Sequence, residues 1–219
     1  MNTTLNTEDV RALSQNLCAD TKINTVQKIS AYYNGNSLTP LGIKLAEDIF
    51  RILAHDVEIQ VREILSESLK NSHNIPKDIV ESLINDQDSV AVPFVKCYDS
   101  FTRSDLLRIL ELPNINKQKA VAQRANLSGD ISQYIVERCP EEVVGALILN
   151  DSAEIVDKTY DSIVSKYANS DNIKNCLVYR QELPIAVIEK IVNTLSEEFK
   201  RRLIINHNLP NDLASDIVE

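Results

Sequence analysis

The hydrophobic residues of this chain recur at a spacing near 3.6, which is the period of one face of an α-helix. One stripe runs at intervals of four residues from Leu41 to Leu53, and the charged residues between its members fall on other faces. Thr39 followed by Pro40 is typical of a helix start, because threonine caps the first turn and proline suits its first position. This pattern predicts an all-α protein.

An internal repeat organises the chain after the first helices. An apolar anchor residue ends the loop before a helix at separations of 26, 26, 26, 30 and 26 residues, at Ile75, Phe101, Leu127, Ala153, Leu183 and Leu209. A second apolar column follows twenty residues later, at Val95, Val121, Leu147, Leu203 and, after four extra residues in the fourth unit, Leu177. Two short helices fill such a unit and cannot bury their own apolar faces. The units must therefore stack into an α-solenoid.

The repeat also divides the chain. Residues 1–36 lie outside the register and are predicted to form an N-terminal helical segment with helices at 10–17 and 23–33. Residues 37–219 are predicted to form the repeat array, with units starting near residues 75, 101, 127, 153, 183 and 209. The register is imperfect, since Asp105 and Asp157 stand where other units carry aliphatic residues. The unit at Leu209 has room for one helix, which we expect to cap the array.

Composition and charge exclude several classes of protein. The 219 residues include only 4 glycines and 7 prolines, too few turn residues for a mainly β fold. A net charge of −9 opposes non-specific binding of nucleic acid and of anionic membranes, which depends on lysine and arginine. The first residues lack the pattern of a secretory signal, and no apolar run reaches the roughly 18 residues of a membrane helix. We therefore expect a cytoplasmic protein that binds no nucleic acid and does not insert into membranes.

The reactive residue types are few and scattered. Cys18, Cys97, Cys139 and Cys176 are far apart, which indicates reduced thiols and no zinc site. Cys97 lies among apolar residues and is expected to be a small core residue rather than a reactive thiolate. With 3 histidines and 4 glycines in the chain, no spacing points to a nucleophilic triad or a phosphate-binding loop. We expect no enzymatic activity, no catalytic residue, no cofactor and no metal.

Five stretches of sequence carry a family resemblance. They are LAHDVEIQVREILSESL (53–69), LINDQDSVAVPFV (83–95), SDLLRIL (104–110), KAVAQRANLS (119–128) and VVGALILNDSAEI (143–155). Together they resemble an uncharacterised domain family of alphaproteobacterial proteins with HEAT-like helical repeats, over about residues 23–180. The resemblance implies a HEAT-like α-solenoid of short helix pairs and no activity. Solenoids of this kind are mostly scaffolds that present a long surface to another protein, which is an analogy at the level of the fold.

One histidine suggests an alternative function. His55 precedes an aspartate in a sequence that looks like the phosphoacceptor box of a histidine kinase, which would make the protein a phosphotransfer module of two-component signalling. A phosphoacceptor must be exposed at mid-helix, whereas His55 falls between Leu53, at the end of one stripe, and Val61, at the start of the next. This position is typical of a helix junction. The alternative is one continuous helix, because Val57 lies four residues after Leu53 and could extend the first stripe.

A polar column is the candidate partner-binding site. Arg124, Asn150, Arg180 and Asn206 each stand three residues before an anchor, at the end of a second helix. In a stacked array they would form a ladder able to hold a partner's backbone or carboxylates, since Arg offers a fork of donors and Asn an amide. The favoured alternative is helix C-capping and bonding to the following loop.

These observations predict a non-catalytic scaffold or regulatory adaptor for protein–protein interaction, whose partner is another protein. A homodimer, if one forms, would use the N-terminal segment. Tyr32, Tyr33 and the helix at 23–33 lie there, outside the repeat register.

Overall fold

The computed structural model of the protein describes residues 18–35, 38–192 and 195–207. These residues form thirteen α-helices and no strand, which confirms the all-α prediction. The chain divides into two compact units, Met1–Ser104 and Asp105–Glu219. The predicted helix at 10–17 and the predicted cap after Leu209 lie outside the described residues. The predicted boundary at residue 36 concerns the repeat register and stays a prediction.

The first unit is built from two layers of helices. Its helices are α1 (Ala19–Asn34), α2 (Pro40–Leu53), α3 (Ile59–Leu69), α4 (Lys77–Asn85) and α5 (Asp88–Cys97). One layer contains α1, α3 and α5, of which α3 packs between the other two, while α2 and α4 pack together in the second layer. Helix α6 (Arg103–Glu111) begins at the end of this unit. The predicted N-terminal helix, α1, thus shares a layer with helices of the array.

Helix α2 begins as the sequence predicts. Pro40 is its first residue, and the Thr39 hydroxyl accepts a hydrogen bond of 3.2 Å from the Gly42 amide. The core face differs from the predicted stripe, because Leu41 is 68% exposed. A helix turns by about 100° per residue, so a spacing of four drifts off one face within three steps. The buried face of α2 is formed by Gly42, Ala46, Ile49, Phe50 and Leu53.

The second unit repeats the two-layer arrangement. After α6 come α7 (Ile115–Ala122), α8 (Gly129–Arg138), α9 (Glu141–Ile148), α10 (Asp157–Lys166), α11 (Asp171–Tyr179), α12 (Ile185–Val192) and α13 (Glu197–His207). Helices α7, α9, α11 and α13, the second helices of their repeats, pack in that order in one layer. The first helices α8, α10 and α12 pack in the other layer. Within this unit, equivalent helices of consecutive repeats are therefore in contact from α7 to α13.

The predicted repeat columns form the core. The second column is fully or almost fully buried in all five repeats, at Val95, Val121, Leu147, Leu177 and Leu203. The described anchors are buried at Ile75, Leu127, Ala153 and Leu183, and half-buried at Phe101. Burial of equivalent positions is what stacked helix pairs require, because no single pair covers its own apolar face.

The fourth repeat departs from the others in a way that the sequence register missed. Helix α10 begins four residues after its anchor Ala153, whereas α8 begins two residues after Leu127. Two of the four extra residues therefore precede α10. As a consequence Thr159 takes the buried position that the register gave to Asp157, and Asp157 is exposed.

Candidate functional site

The predicted polar ladder lies at the ends of the second helices in the second unit. Arg124 and Asn150 follow α7 and α9, Arg180 follows α11, and Asn206 lies in the last turn of α13. Both arginines are buried, Asn150 is half-buried and Asn206 is exposed. The four ladder residues therefore occupy equivalent positions in successive repeats, and their hydrogen-bond partners indicate their role.

The two asparagine amides reach across to the preceding second helix. Asn150 Nδ2 donates to the carbonyl oxygens of Ala122, at 2.8 Å, and Arg124, at 2.7 Å. Asn206 Nδ2 donates to the carbonyl of Val178 at 3.0 Å. The last carbonyls of a helix have no partner within it, so these amides cap the helix of the repeat before.

Arg180 makes the same connection with a charged side chain. Its Nη1 donates to the carbonyls of Ile148 and Asn150, both at 2.9 Å, and its Nη2 donates to the carbonyl of Ala153 at 2.8 Å. Only 6% of the residue is exposed. The carbonyls at a helix C-terminus carry partial negative charge, which stabilises a buried guanidinium without a carboxylate partner.

These bonds match the capping interpretation with one correction. The predicted bonding to the following loop is present at Asn150, whose Oδ1 accepts from the amide and the hydroxyl of Ser152. The capped helix is not the residue's own, because Asn150, Arg180 and Asn206 donate to the helix of the preceding repeat. The bonds already engage donor groups that a partner would need. They give no support to partner binding by these residues, which stays a prediction.

A cleft of about 660 Å³ opens beside Arg180 within the second unit. Ala153, the smallest of the anchor residues, and Tyr160 line it together with apolar side chains from the loop before α12: Leu183, Pro184 and Ile185. Burial raises the pKa of Tyr160, so its phenol stays protonated.

An exposed apolar row runs next to the ladder. Leu149, Tyr179 and Ile205 each precede a ladder residue by one position, and they are 52%, 48% and 75% exposed. We call these three residues the apolar row. The capping bonds hold the helix ends side by side, so the three side chains lie in a line across α9, α11 and α13. The Arg202 guanidinium lies 5.8 Å from the centre of the Tyr179 ring and donates to its hydroxyl.

Sequence reasoning missed this row, although the signal was present. The apolar row occupies the same register position in three consecutive repeats, and directly after α7 that position is the exposed polar residue Gln123. Buried apolar columns define the repeat, whereas an apolar column that stays exposed is the stronger sign of a binding surface.

His55 lies in the turn between α2 and α3 and is exposed. Its Nδ1 is 3.0 Å from the carbonyl oxygen of Arg51, and because a carbonyl only accepts, Nδ1 carries the hydrogen. This is the helix junction that the two stripes indicate and not the mid-helix position of a phosphoacceptor.

The surroundings of His55 are acidic. It lines a cleft of about 600 Å³ together with the carboxylates Asp56, Asp78, Glu81 and Asp86. Arg62, which also lines the cleft, is engaged by Asp86 through two bonds of 2.6 and 3.1 Å. The nearby Lys22 is bound to Asp56 at 2.6 Å. A phosphoryl group on His55 would therefore lie close to carboxylates, which repel it, and the neighbouring cations Arg62 and Lys22 are already paired with carboxylates.

The four cysteines are free thiols in the structure. Cys18 is exposed, Cys97 half-buried, and Cys139 and Cys176 buried. Burial raises the pKa of Cys139 to about 11 and also raises that of Cys176, while a hydrogen bond from Thr21 lowers that of Cys18. The buried thiols are therefore packing residues, because reactive cysteines need a lowered pKa and access.

Within residues 18–35, 38–192 and 195–207, no group of three histidine, cysteine or carboxylate side chains is placed to hold a metal ion. Over the same ranges, none of the helices combines the length and the apolar character needed to cross a membrane.

Comparison with known proteins gives one match. Residues 90–219 match the family DUF2336, described as an uncharacterised protein conserved in bacteria. Neither a curated protein nor a solved structure matches the chain. The match differs in extent from the resemblance expected at residues 23–180, because it begins in α5 and includes the last two repeats. It spans more than half of the sequence, and this chain therefore belongs to the DUF2336 family of bacterial proteins.

Proposed function

We propose that this protein is a HEAT-like helical-repeat scaffold or regulatory adaptor that binds another protein, without catalysis, in the bacterial cytoplasm. The observation that carries the proposal is the apolar row. Exposed large side chains are common one at a time, but three in register on neighbouring helices form a contiguous patch of the kind that protein partners cover. Tyr179 at its centre is a residue type that often dominates binding energy.

The capping ladder supports the proposal, because it holds the row before a partner arrives. Asn150, Arg180 and Asn206 fix the ends of neighbouring second helices through backbone carbonyls. A preformed surface loses less conformational entropy on binding than a flexible one. The ladder then acts as support, and the neighbouring apolar row makes the contact.

Phosphotransfer through His55 remains the alternative from another class. Its support is the exposure of the imidazole ring. Against it stand the junction position and the acidic cleft around the ring. The scaffold proposal explains more of the surface, so it is the one that we adopt.

A comparison of variants in protein capture tests the proposal. Tagged wild-type protein and the variant Leu149→Ser/Tyr179→Ser/Ile205→Ser would be incubated with lysate of the source bacterium, and bound proteins quantified by mass spectrometry. We expect the triple variant to lose proteins that the wild type retains. The matched control is Leu41→Ser/Val57→Ser, which removes two exposed apolar side chains in the first unit and should change nothing.

Two results would contradict the proposal. One is capture of the same proteins by the wild type and the triple variant when both have the same far-ultraviolet circular dichroism spectrum. The other is a stable phosphohistidine that His55→Gln abolishes together with capture. Self-association through residues 1–36 is a separate prediction, which sedimentation of a chain lacking those residues tests.

A further inference from the structure

We infer that the segment that covers the apolar row is an amphipathic helix with apolar residues seven positions apart and basic residues over α9 and α11. This inference rests on the proposed function and names the partner's chemistry. It draws on the spacing of the row and on the charges at its two ends.

The spacing of the row fits a helix better than a strand. Packed helices lie about 8 to 10 Å apart, so the row from α9 to α13 extends over about 16 to 20 Å. Side chains seven positions apart on a helix recur at about 10.5 Å on nearly one face. Same-face side chains of a strand recur at about 6.7 Å and would miss the second contact. A partner helix laid across the three second helices places one apolar residue on each member of the row.

The half of the row on α9 and α11 is flanked by acidic residues. Glu142 lies seven residues before Leu149 and so shares its helix face, and Asp171 begins the helix that carries Tyr179. Asp151 and Glu182 follow in the loops on the other side. All four carboxylates are exposed, and we call them the acidic end.

The cation paired with Asp171 is largely covered. Lys174 lies 3.9 Å from Asp171, and its side chain is only 12% exposed. The acidic end therefore attracts positive charge from outside, and basic residues of a partner would be favoured by complementary potential.

The other end of the row has a different character. Next to Ile205 stand Arg201, which is exposed, and Arg202, which is bound to Glu198 at 2.5 Å and to the Tyr179 hydroxyl. The partner helix accordingly needs positive charge only on the half that lies over α9 and α11. The positive N-terminal end of its own dipole favours the same orientation.

Two labelled synthetic helices of about 18 residues test the inference. Both peptides carry three leucines, spaced seven residues apart. In the first peptide lysines surround the first two leucines, and in the second peptide glutamates surround them. Glutamines surround the third leucine in both. Fluorescence anisotropy against the full-length protein should show binding of the lysine helix. The glutamate helix should bind about tenfold more weakly or not at all.

Variants of the protein locate the binding. Leu149→Ser/Tyr179→Ser/Ile205→Ser should weaken the lysine helix about tenfold or more, and Glu142→Gln/Asp151→Asn should weaken it severalfold with a loss of salt dependence. The matched control Arg201→Gln should leave it unchanged or tighten it. Because these side chains are exposed, the variants should keep the wild-type circular dichroism spectrum.

Several results would overturn the inference. One is equal affinity of the protein for the two helices, and another is unchanged affinity of the triple variant for the lysine helix. A third is a wild-type dimer in sedimentation analysis that the triple variant loses and the control variants keep, since a second copy would then cover the row. If neither helix binds but the triple variant still loses its captured proteins, this inference is wrong and the proposed function stands. If capture is also unchanged, both are wrong.

Discussion

Arg180 illustrates how a charged residue becomes part of the core. A buried guanidinium is costly unless its donors have partners. Here the carbonyls of Ile148, Asn150 and Ala153 serve as partners of Nη1 and Nη2, at the negative end of α9, while the buried Nε has none. The side chain joins two repeats through the backbone, and it also forms a hydrogen bond with the side chain of Tyr160.

Replacement of Arg180 by methionine should therefore destabilise the protein. Methionine retains most of the volume but removes the guanidinium donors from three carbonyls, of which only that of Asn150 keeps a donor, the Ala153 amide. A hydrogen bond to a charged group contributes about 1.5 to 3 kcal/mol. We expect the free energy of unfolding from urea titration to fall by about 2 to 4 kcal/mol. The control is the exposed Arg201→Met, which should change it by about 0.5 kcal/mol or less. Equal stability of the two variants would show that the cap contributes nothing.

The buried thiol of Cys139 should make stability depend on pH in the alkaline range. Burial raises its pKa to about 11, whereas an unfolded cysteine titrates near about 8.5. Between these values the unfolded chain has lost the proton that the folded chain keeps. The free energy of unfolding should therefore be highest below about pH 8.5 and fall by up to about 1.4 kcal/mol per pH unit up to about pH 11.

A Cys139→Ala variant provides the test of this slope. Urea titrations at several pH values should give a flatter profile for the variant between about pH 9 and 11. Burial also raises the pKa of Tyr160 and Cys176, so part of the wild-type slope should remain. If the profiles of variant and wild type are parallel, the thiol does not titrate as its burial requires.

At the scale of helices, local signals in the sequence predicted the elements well. The Thr39–Pro40 start is present, and the anchors precede their helices. The error at Asp157 arose because the spacing of 30 residues shows that four are extra but not where they lie. Their position depends on which side chain fits the groove of the neighbouring helices, and Thr159 fits there, bonded to Gln133 at 2.6 Å.

The candidate site was only half predictable. Periodicity placed Asn150 and Arg180 at helix ends, but their acceptors lie up to 32 residues earlier in sequence. Only the packing of α9 and α11 against their neighbours decides such bonds. The repeat register is sufficient to predict that Leu149, Tyr179 and Ile205 occupy equivalent positions. It does not predict their exposure, because exposure depends on which face of each helix packs against the other layer.

The close packing of α9 on α11 gives a prediction at this scale. A Cβ at Gly145 would lie 3.4 Å from Cys176 Sγ and farther from other atoms, so an alanine fits. Glycine in a helix interior costs about 0.8 to 1.0 kcal/mol relative to alanine. Gly145→Ala should raise the free energy of unfolding by about 0.5 to 1 kcal/mol, and Gly145→Leu should lower it by about 1 to 3 kcal/mol through overpacking.

Thermal unfolding followed by circular dichroism distinguishes these two variants. In a chain of this size, 1 kcal/mol corresponds to a shift in Tm of about 2 to 4 °C. The expected shifts have opposite signs. A rise in Tm for leucine as well would mean that α9 and α11 are not in close contact at this position.

At the scale of the whole molecule, the family match and the apolar row fall in the same region. The match over residues 90–219 contains the entire second unit, Asp105–Glu219. The ladder and the row both lie in that unit. The sequence resemblance at residues 23–180 overlaps the family match only in part, because one of its five stretches, residues 53–69, lies before the match and its range ends before the last two repeats.

Charge decides the last prediction, which concerns nucleic acids. The net charge is −9, and the acidic end lies beside the surface that we propose for binding. Affinity for a duplex depends on phosphates neutralised by lysine and arginine, and it grows steeply as salt is lowered. The cluster Lys200, Arg201 and Arg202 is partly engaged, since Glu197 and Glu198 pair with two of its members.

We therefore expect no measurable binding of duplex DNA or RNA at physiological salt, in gel-shift and anisotropy assays. The lysine helix described above serves as a positive control in the same buffer. The affinity of this peptide for the protein should fall as the salt concentration rises. Added duplex should reduce peptide binding only by binding the peptide itself. Titration of the peptide with duplex in the absence of protein measures that effect. Sub-micromolar affinity for a duplex, weakened by Arg201→Gln, would show that the basic cluster overrides the net charge. The acidic end would then not determine which partners this surface accepts.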